Sequence, residues 1–177
     1  MAGAPGSGRI MGMGERWAVL EQGSDWLLTE WRGHLLGYWT GAVNHHGMRA
    51  TSLHLAQWSQ KQPSKRCAYL CFLLDGFHLP DGESRGEMIK LAPKLEGKLH
   101  GFGIVVAGKG FKGAAIRGFI TSVAQLSRVE FPLPTFENLA QAEAWFRPRV
   151  AAAQGSWGPP GELDAVDAEI RAAHFAR

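Results

Sequence analysis

A mixed α/β sheet, antiparallel at its front and parallel behind, is the fold predicted by this chain of 177 residues. Three observations carry that prediction. Short β-prone runs separated by turn residues fill the region from Arg16 to Tyr38. From residue 66 to 147, apolar runs alternate with helix-length amphipathic stretches, the pattern of parallel strands joined by helical crossovers. The length suits one domain, and a composition 45% hydrophobic and 20% charged is that of a globular protein able to bury its own core.

The elements follow in order. Residues 1–14 are Gly-rich with Arg9 as their sole charge, too poor in apolar surface to offset ordering, and read as a disordered leader. Trp17 with Val19, Trp26 with Leu28, and Leu35 with Tyr38 mark a meander of two or three strands, broken at Gln22-Gly-Ser-Asp25 and Arg32-Gly-His34. A helix over 47–62 aligns Met48, Thr51, Leu55 and Trp58 and stops at Pro63. Strand 66–74 leads to a helix over 82–98, interrupted near Pro93. Strand 102–107 leads to a helix over 112–128, and a short strand 130–136 to a helix over 137–147. The main domain is thus residues 15–147. An Ala/Gly/Pro stretch, 148–161, reads as a linker. Residues 162–177 form an amphipathic helix with Leu163, Val166 and Ile170 on one stripe, expected to pack back on the domain.

Several function classes are excluded early. Lys+Arg at 19 against Asp+Glu at 16 leaves a net charge of +3, too small for general nucleic-acid binding or a basic membrane patch. The 2 cysteines do not make a disulfide scaffold. Cys67 and Cys71 share one strand face about 13 Å apart and are expected as reduced core thiols. No signal peptide and no stretch of ~18 apolar residues is visible, so a cytoplasmic location is expected. The histidines show no zinc spacing, and neither a metal nor a cofactor is expected.

The second half also carries a family pattern. Leu74-Asp75 ends a central strand, a Gly/Asp loop follows, and a helix opens at Glu83-Ser-Arg85. An Ile-Val-Val strand, a Gly/Lys turn and a Phe-Ile-containing helix come next, and the order closes on Phe136, Ala142 and Trp145. This order resembles the STAS/SpoIIAA-like family of small bacterial α/β domains. The resemblance implies a STAS-like fold and a non-enzymatic regulatory role exerted through a protein partner. The family's better-known branch is phosphorylated at a Ser in an Asp-Ser pair after the central strand. Here Gly76 follows Asp75, and the first serine is Ser84, nine residues on. Ser84 is either an exposed residue near a helix start, where a phosphate is electrostatically favoured, or a plain first-turn serine behind the cap Asp81.

Gly108-Lys-Gly-Phe-Lys-Gly113 is the sharpest local motif, a G-x-G-x-x-G between an apolar strand and a helix. It reads first as a tight structural turn. Its second reading is a site for a phosphate-bearing or acidic ligand, with backbone donors from Gly110 and Gly113 and charge from Lys109, Lys112 and Arg117. Every charged residue from Lys98 to Arg128 is basic, so a weak global charge conceals a positive βα element. Asp75 lies where α/β active sites collect, and Asp75 with His78 is the third reading, an acid–base pair. Trp31 has the opposite strand parity to Trp26, so the meander shows tryptophan on both faces. Trp26, Trp31 and Trp39 are candidate interface anchors unless helices cover both faces.

Overall fold

The structure, a computed structural model, describes residues 10–11, 16–61, 67–80, 82–95, 97–106, 110–127, 132–153 and 155–175. Among the described residues, one sheet holds seven strands in sequence order: β1 (Ile10–Met11), β2 (Trp17–Gln22), β3 (Trp26–Trp31), β4 (His34–Trp39), β5 (Cys67–Leu73), β6 (Leu99–Val106) and β7 (Thr135–Phe136). Pairing is antiparallel from β1 to β4 and parallel from β4 to β7. The helices are α1 (His45–Lys61), α2 (Gly82–Leu95), α3 (Gly110–Ser127), α4 (Leu139–Ala152) and α5 (Glu162–His174). The expected antiparallel front and parallel rear are both present.

Local chemistry sets the turns. Trp31 pairs with His34, which leaves Arg32 and Gly33 as a two-residue loop with φ of 50° and 78°. Positive φ at both positions is the hairpin geometry that continues the twist of the strands. Behind the hairpin, β5 is buried along its whole length, as a central parallel strand covered on both faces must be.

Topology then decides where each helix goes. β4-α1-β5, β5-α2-β6 and β6-α3-β7 each step one strand further in the same direction. Right-handed crossovers of that kind lie on one face of a sheet. Ala50 and Leu55 of α1 and Ile116 and Ile120 of α3 accordingly share a core with Trp26, Leu35, Trp39, Tyr69 and Ile104, while α2 packs against both α1 and α3. The other face falls to the chain after β7. Ala142, Phe146 and Val150 of α4, with Leu163, Val166 and Ile170 of α5, close it over Trp17, Trp31, Tyr38, Phe72 and Val105. Gly101 and Gly103 of β6 make room there. A Cβ at Gly101 would lie 2.6 Å from the Trp145 ring, and one at Gly103 would lie 2.7 Å from Phe136 and Phe146.

Three boundaries differ from expectation. Ile10 and Met11, inside the stretch read as a leader, pair with Val19 and Ala18 as an edge strand; the other leader residues lie outside the described residues. The strand expected over 130–136 is reduced to Thr135–Phe136, and 128–131 lie outside the described residues. Residues 148–161 are no loose linker. α4 continues through Pro148 to Ala152, and the strap that follows inserts Trp157 between side chains of the core. The Trp157 ring stacks on Phe146 at 5.2 Å and meets Trp31 edge-on at 5.2 Å. Its indole N–H donates to Glu143 (3.2 Å), and Arg147 donates to the Gly158 carbonyl (2.7 Å). Arg32 in the β3–β4 turn then grips Glu162, the first residue of α5, through two hydrogen bonds of 2.7 and 3.1 Å. At the far end of α5, Glu169 pairs with Arg16 and accepts from the Trp17 indole at 3.2 Å.

Candidate functional site

The carboxyl ends of the parallel strands fall on one edge of the sheet, where α/β proteins gather their functional loops. Two of these loops are sewn together by backbone. Leu74 N–H donates to the Trp39 carbonyl (2.9 Å) and His78 N–H to the Gly41 carbonyl (3.4 Å), and Ala42 and His78 form a parallel bridge. The loop after β5 turns sharply at Asp75-Gly76, closed by Phe77 N–H on the Leu74 carbonyl (3.1 Å). Gly76 has φ of 92°, and a Cβ there would lie 2.6 Å from the Thr40 carbonyl oxygen, so the turn requires glycine. Phe77 points into the core, leaving Asp75, His78 and Leu79 exposed.

A third loop, between β2 and β3, joins the same edge. The Asp25 carbonyl accepts from Thr40 N–H (2.9 Å) and Thr40 Oγ1 (3.3 Å), and Ser24 Oγ donates to Asp25 Oδ2 (3.0 Å). Asn44 caps α1 by accepting from Gly47 N–H (2.9 Å), and the exposed rings of His45 and His46 stand 4.0 Å apart. Any side chain at Gly47 would strike the rings of Trp39 and Trp26. The edge is therefore a rigid rim carrying Asp25, His45, His46, Asp75, His78 and Leu79. Below it lie Trp26 and Trp39, stacked at 6.0 Å.

The residues read from the sequence divide on this frame. Asp75 and His78 are on the rim. Ser84 is not at the surface: the third residue of α2, it is only 3% exposed, which corrects its reading as an accessible phosphate acceptor. Gly110 is the first residue of α3, Lys112 and Gly113 fall in its first turn, and Arg117 is half-buried further along. The motif thus spans the β6–α3 connection. Gly108, Lys109 and the side chain of Lys112 lie outside the described residues. Trp26, Trp31 and Trp39 are all buried, because α1 closes one face and α5 and the strap close the other. They form the floor of the rim and the core, not an exposed anchor. Sequence reasoning missed Asp25 and Leu79. In the sequence Asp25 reads only as turn chemistry, and an apolar residue between His78 and Pro80 in a turn-rich loop is the available signal for Leu79.

Chemically the rim offers hydrogen-bonding and charged groups round one apolar side chain, all held by backbone contacts. The thiols are not on it: Cys67 and Cys71 are free and buried in β5, and burial pushes both up to about 12. Among the described residues, no cluster of three or more His, Cys, Asp or Glu is placed to hold a metal ion, and no helix is long and apolar enough to cross a membrane.

The fold defined by these strands and helices is SpoIIAA-like. Among solved structures, the chain is similar to an uncharacterised protein of the DUF3478 family from Shewanella loihica PV-4, described as having a SpoIIAA-like fold. The two match with a TM-score of 0.50 at 13% identity, over 80% of this chain and 99% of that one. No protein-family model and no curated protein sequence matches the chain. The STAS/SpoIIAA-like fold expected from the second half of the sequence is therefore the fold the chain has.

Proposed function

We propose that the chain is a STAS-like regulatory module that binds a protein partner through the carboxyl-edge rim, without catalysis of its own. The observation that carries this reading is Leu79, 48% exposed on a loop whose backbone is pinned to its neighbours. An apolar side chain held on a pinned loop, on the same sheet edge as Asp75, His78 and the α1 histidines, loses little entropy when a partner covers it. The acid–base reading of Asp75 and His78 is less well supported, since both side chains are exposed and no hydrogen bond joins them. A cytoplasmic location accords with a regulatory partner of this kind.

Affinity capture from native lysate with the wild-type chain and with Leu79→Arg, followed by mass spectrometry of proteins and small molecules, tests the proposal. A stoichiometric protein retained by wild type and lost with Leu79→Arg supports it. Equal recovery by both, or a small ligand in place of a protein, overturns it.

A second reading places a phosphate-bearing or lipid-like anionic ligand at the β6–α3 connection. It is favoured by β6 ending beside Leu73 and α3 starting at Gly110, so that the first turn of α3 follows the same sheet edge as Asp75. Replacement of Lys109 and Lys112 together by Ala should then weaken anion binding in a salt-dependent way. An unchanged titration counts against the ligand.

A further inference from the structure

At the opposite, amino end of β4, a buried histidine closes the strap that joins α4 to α5. His34 is 4% exposed and makes two hydrogen bonds of opposite sense. Its Nδ1 accepts the backbone N–H of Ala68 (3.1 Å), and its Nε2 lies 2.9 Å from the Ser156 carbonyl oxygen. A backbone N–H can only donate and a carbonyl can only accept, so the ring must be neutral with its proton on Nε2. The Ala68 N–H faces β4, on the same side of β5 as the Leu74 N–H that donates to Trp39, and it meets the His34 ring where the β4–β5 pairing begins. The rings of Trp157 and Trp31 lie against the imidazole at 5.2 and 5.9 Å.

We infer that His34 is a proton-operated latch: protonation at Nδ1 opens the strap over residues 155–161 while the sheet stays folded. A proton on Nδ1 sets one N–H against another. The Ala68 N–H is held in a central strand and does not move aside, so the ring leaves, and Ser156 and Trp157 lose the group on which they rest. Among the described residues, the neighbouring charged groups do not offset the charge. β6 contributes His100, which disfavours a second positive charge, and the Glu30 side chain of β3 belongs to the opposite face of the sheet. On α4, Glu143 is held by Arg147 (3.3 Å) and the Trp157 indole, and at α5 Glu162 is held by Arg32 (2.7 Å). Burial accordingly holds the imidazole down at about 4 in the closed state, against 6.5 for a free side chain.

Those two values fix the expected response. Opening linked to one proton rises about tenfold per pH unit as pH falls from roughly 6.5 to about 4, and is flat outside that window. The test is amide exchange, read as protection factors from pH 7 to 4 on the full chain. The reporters are Gly155 N–H, bonded to the Val150 carbonyl (2.8 Å), and the Trp157 indole N–H. Protection of both should fall along that slope while Leu70 and Phe72 of β5 stay protected. In His34→Asn, whose side-chain oxygen still accepts from Ala68 but does not titrate, the slope should vanish whatever the overall stability. Flat protection in wild type, an unchanged slope in His34→Asn, or loss of β5 protection in step with the strap would each refute the latch. Should the asparagine chain not fold, a His34 ring titration in wild type decides: a midpoint near 6.5, or Trp157 signals that do not follow the ring, refutes it.

Discussion

Burial of His34 has a consequence for stability as well as for the strap. Desolvation lowers its folded-state pKa, and the hydrogen bond to Ser156 offsets this only in part. A folded value below the unfolded one means that the unfolded chain takes up the proton first. The contribution is therefore complete above about pH 6.5, is lost as pH falls towards about 4, and levels off below that. Its size is roughly 3 kcal/mol at most. Urea unfolding at pH 7 and pH 5 should show a lower midpoint in acid, and His34→Asn should remove much of that difference. The glycines give a second contrast at this scale. Gly103→Ala forces a methyl into Phe136 and Phe146 and should cost about 1–3 kcal/mol. Gly118→Ala on the exposed side of α3 meets nothing within 4 Å and should add up to about 1 kcal/mol. Thermal melts of the two variants should move in opposite directions. Little of this was legible beforehand. Strand parity put Trp26 and Trp31 on opposite faces, but whether Trp31 was covered depended on α5 and the strap, more than a hundred residues away in the chain. Nothing around His34 announces that Ser156 will meet it.

Among the elements, α5 carries the clearest prediction. Its stripe of Leu163, Val166 and Ile170 is fully buried, whereas the Arg32–Glu162 grip at its start is solvent-exposed on the arginine side. Removing apolar volume from a closed core is costly, and an exposed ion pair contributes little because water competes for both charges. Ile170→Ala should therefore destabilise by about 2–5 kcal/mol, and Arg32→Ala by no more than about 1 kcal/mol. Chemical denaturation of the two variants checks the ranking, and an equal loss from both would mean that the grip holds the helix. The period of the stripe was readable in the sequence. The strap before it was not, since Ala, Gly and Pro have a linker's composition whether or not a single tryptophan among them is buried. Helix ends were legible to within a few residues where local chemistry fixes them. Asn138, for example, caps α4 by accepting from Gln141 N–H at 2.9 Å, so the helix begins at Leu139, two residues beyond the expected start.

For the whole molecule, the order of strands explains the division of labour between the faces. Sequential parallel steps put α1, α2 and α3 on one side, so the last quarter of the chain is needed to close the other. The alternation that predicted the α/β class implied a sheet covered by helices, but not which helices would cover which face. The rim was only half legible. Asp75 could be placed at a strand end, but the bridge between Ala42 and His78 brings together loops that no local pattern connects. Leu79→Arg should leave stability within about 0.5 kcal/mol, because the side chain is exposed, while abolishing capture of the partner. The most direct test of partner binding at this rim is amide exchange of the chain alone and saturated with the captured partner. Slowed exchange concentrated in residues 40–44 and 74–80 is the predicted result, and slowing confined to α5 or to the strap, with the rim unchanged, would contradict it.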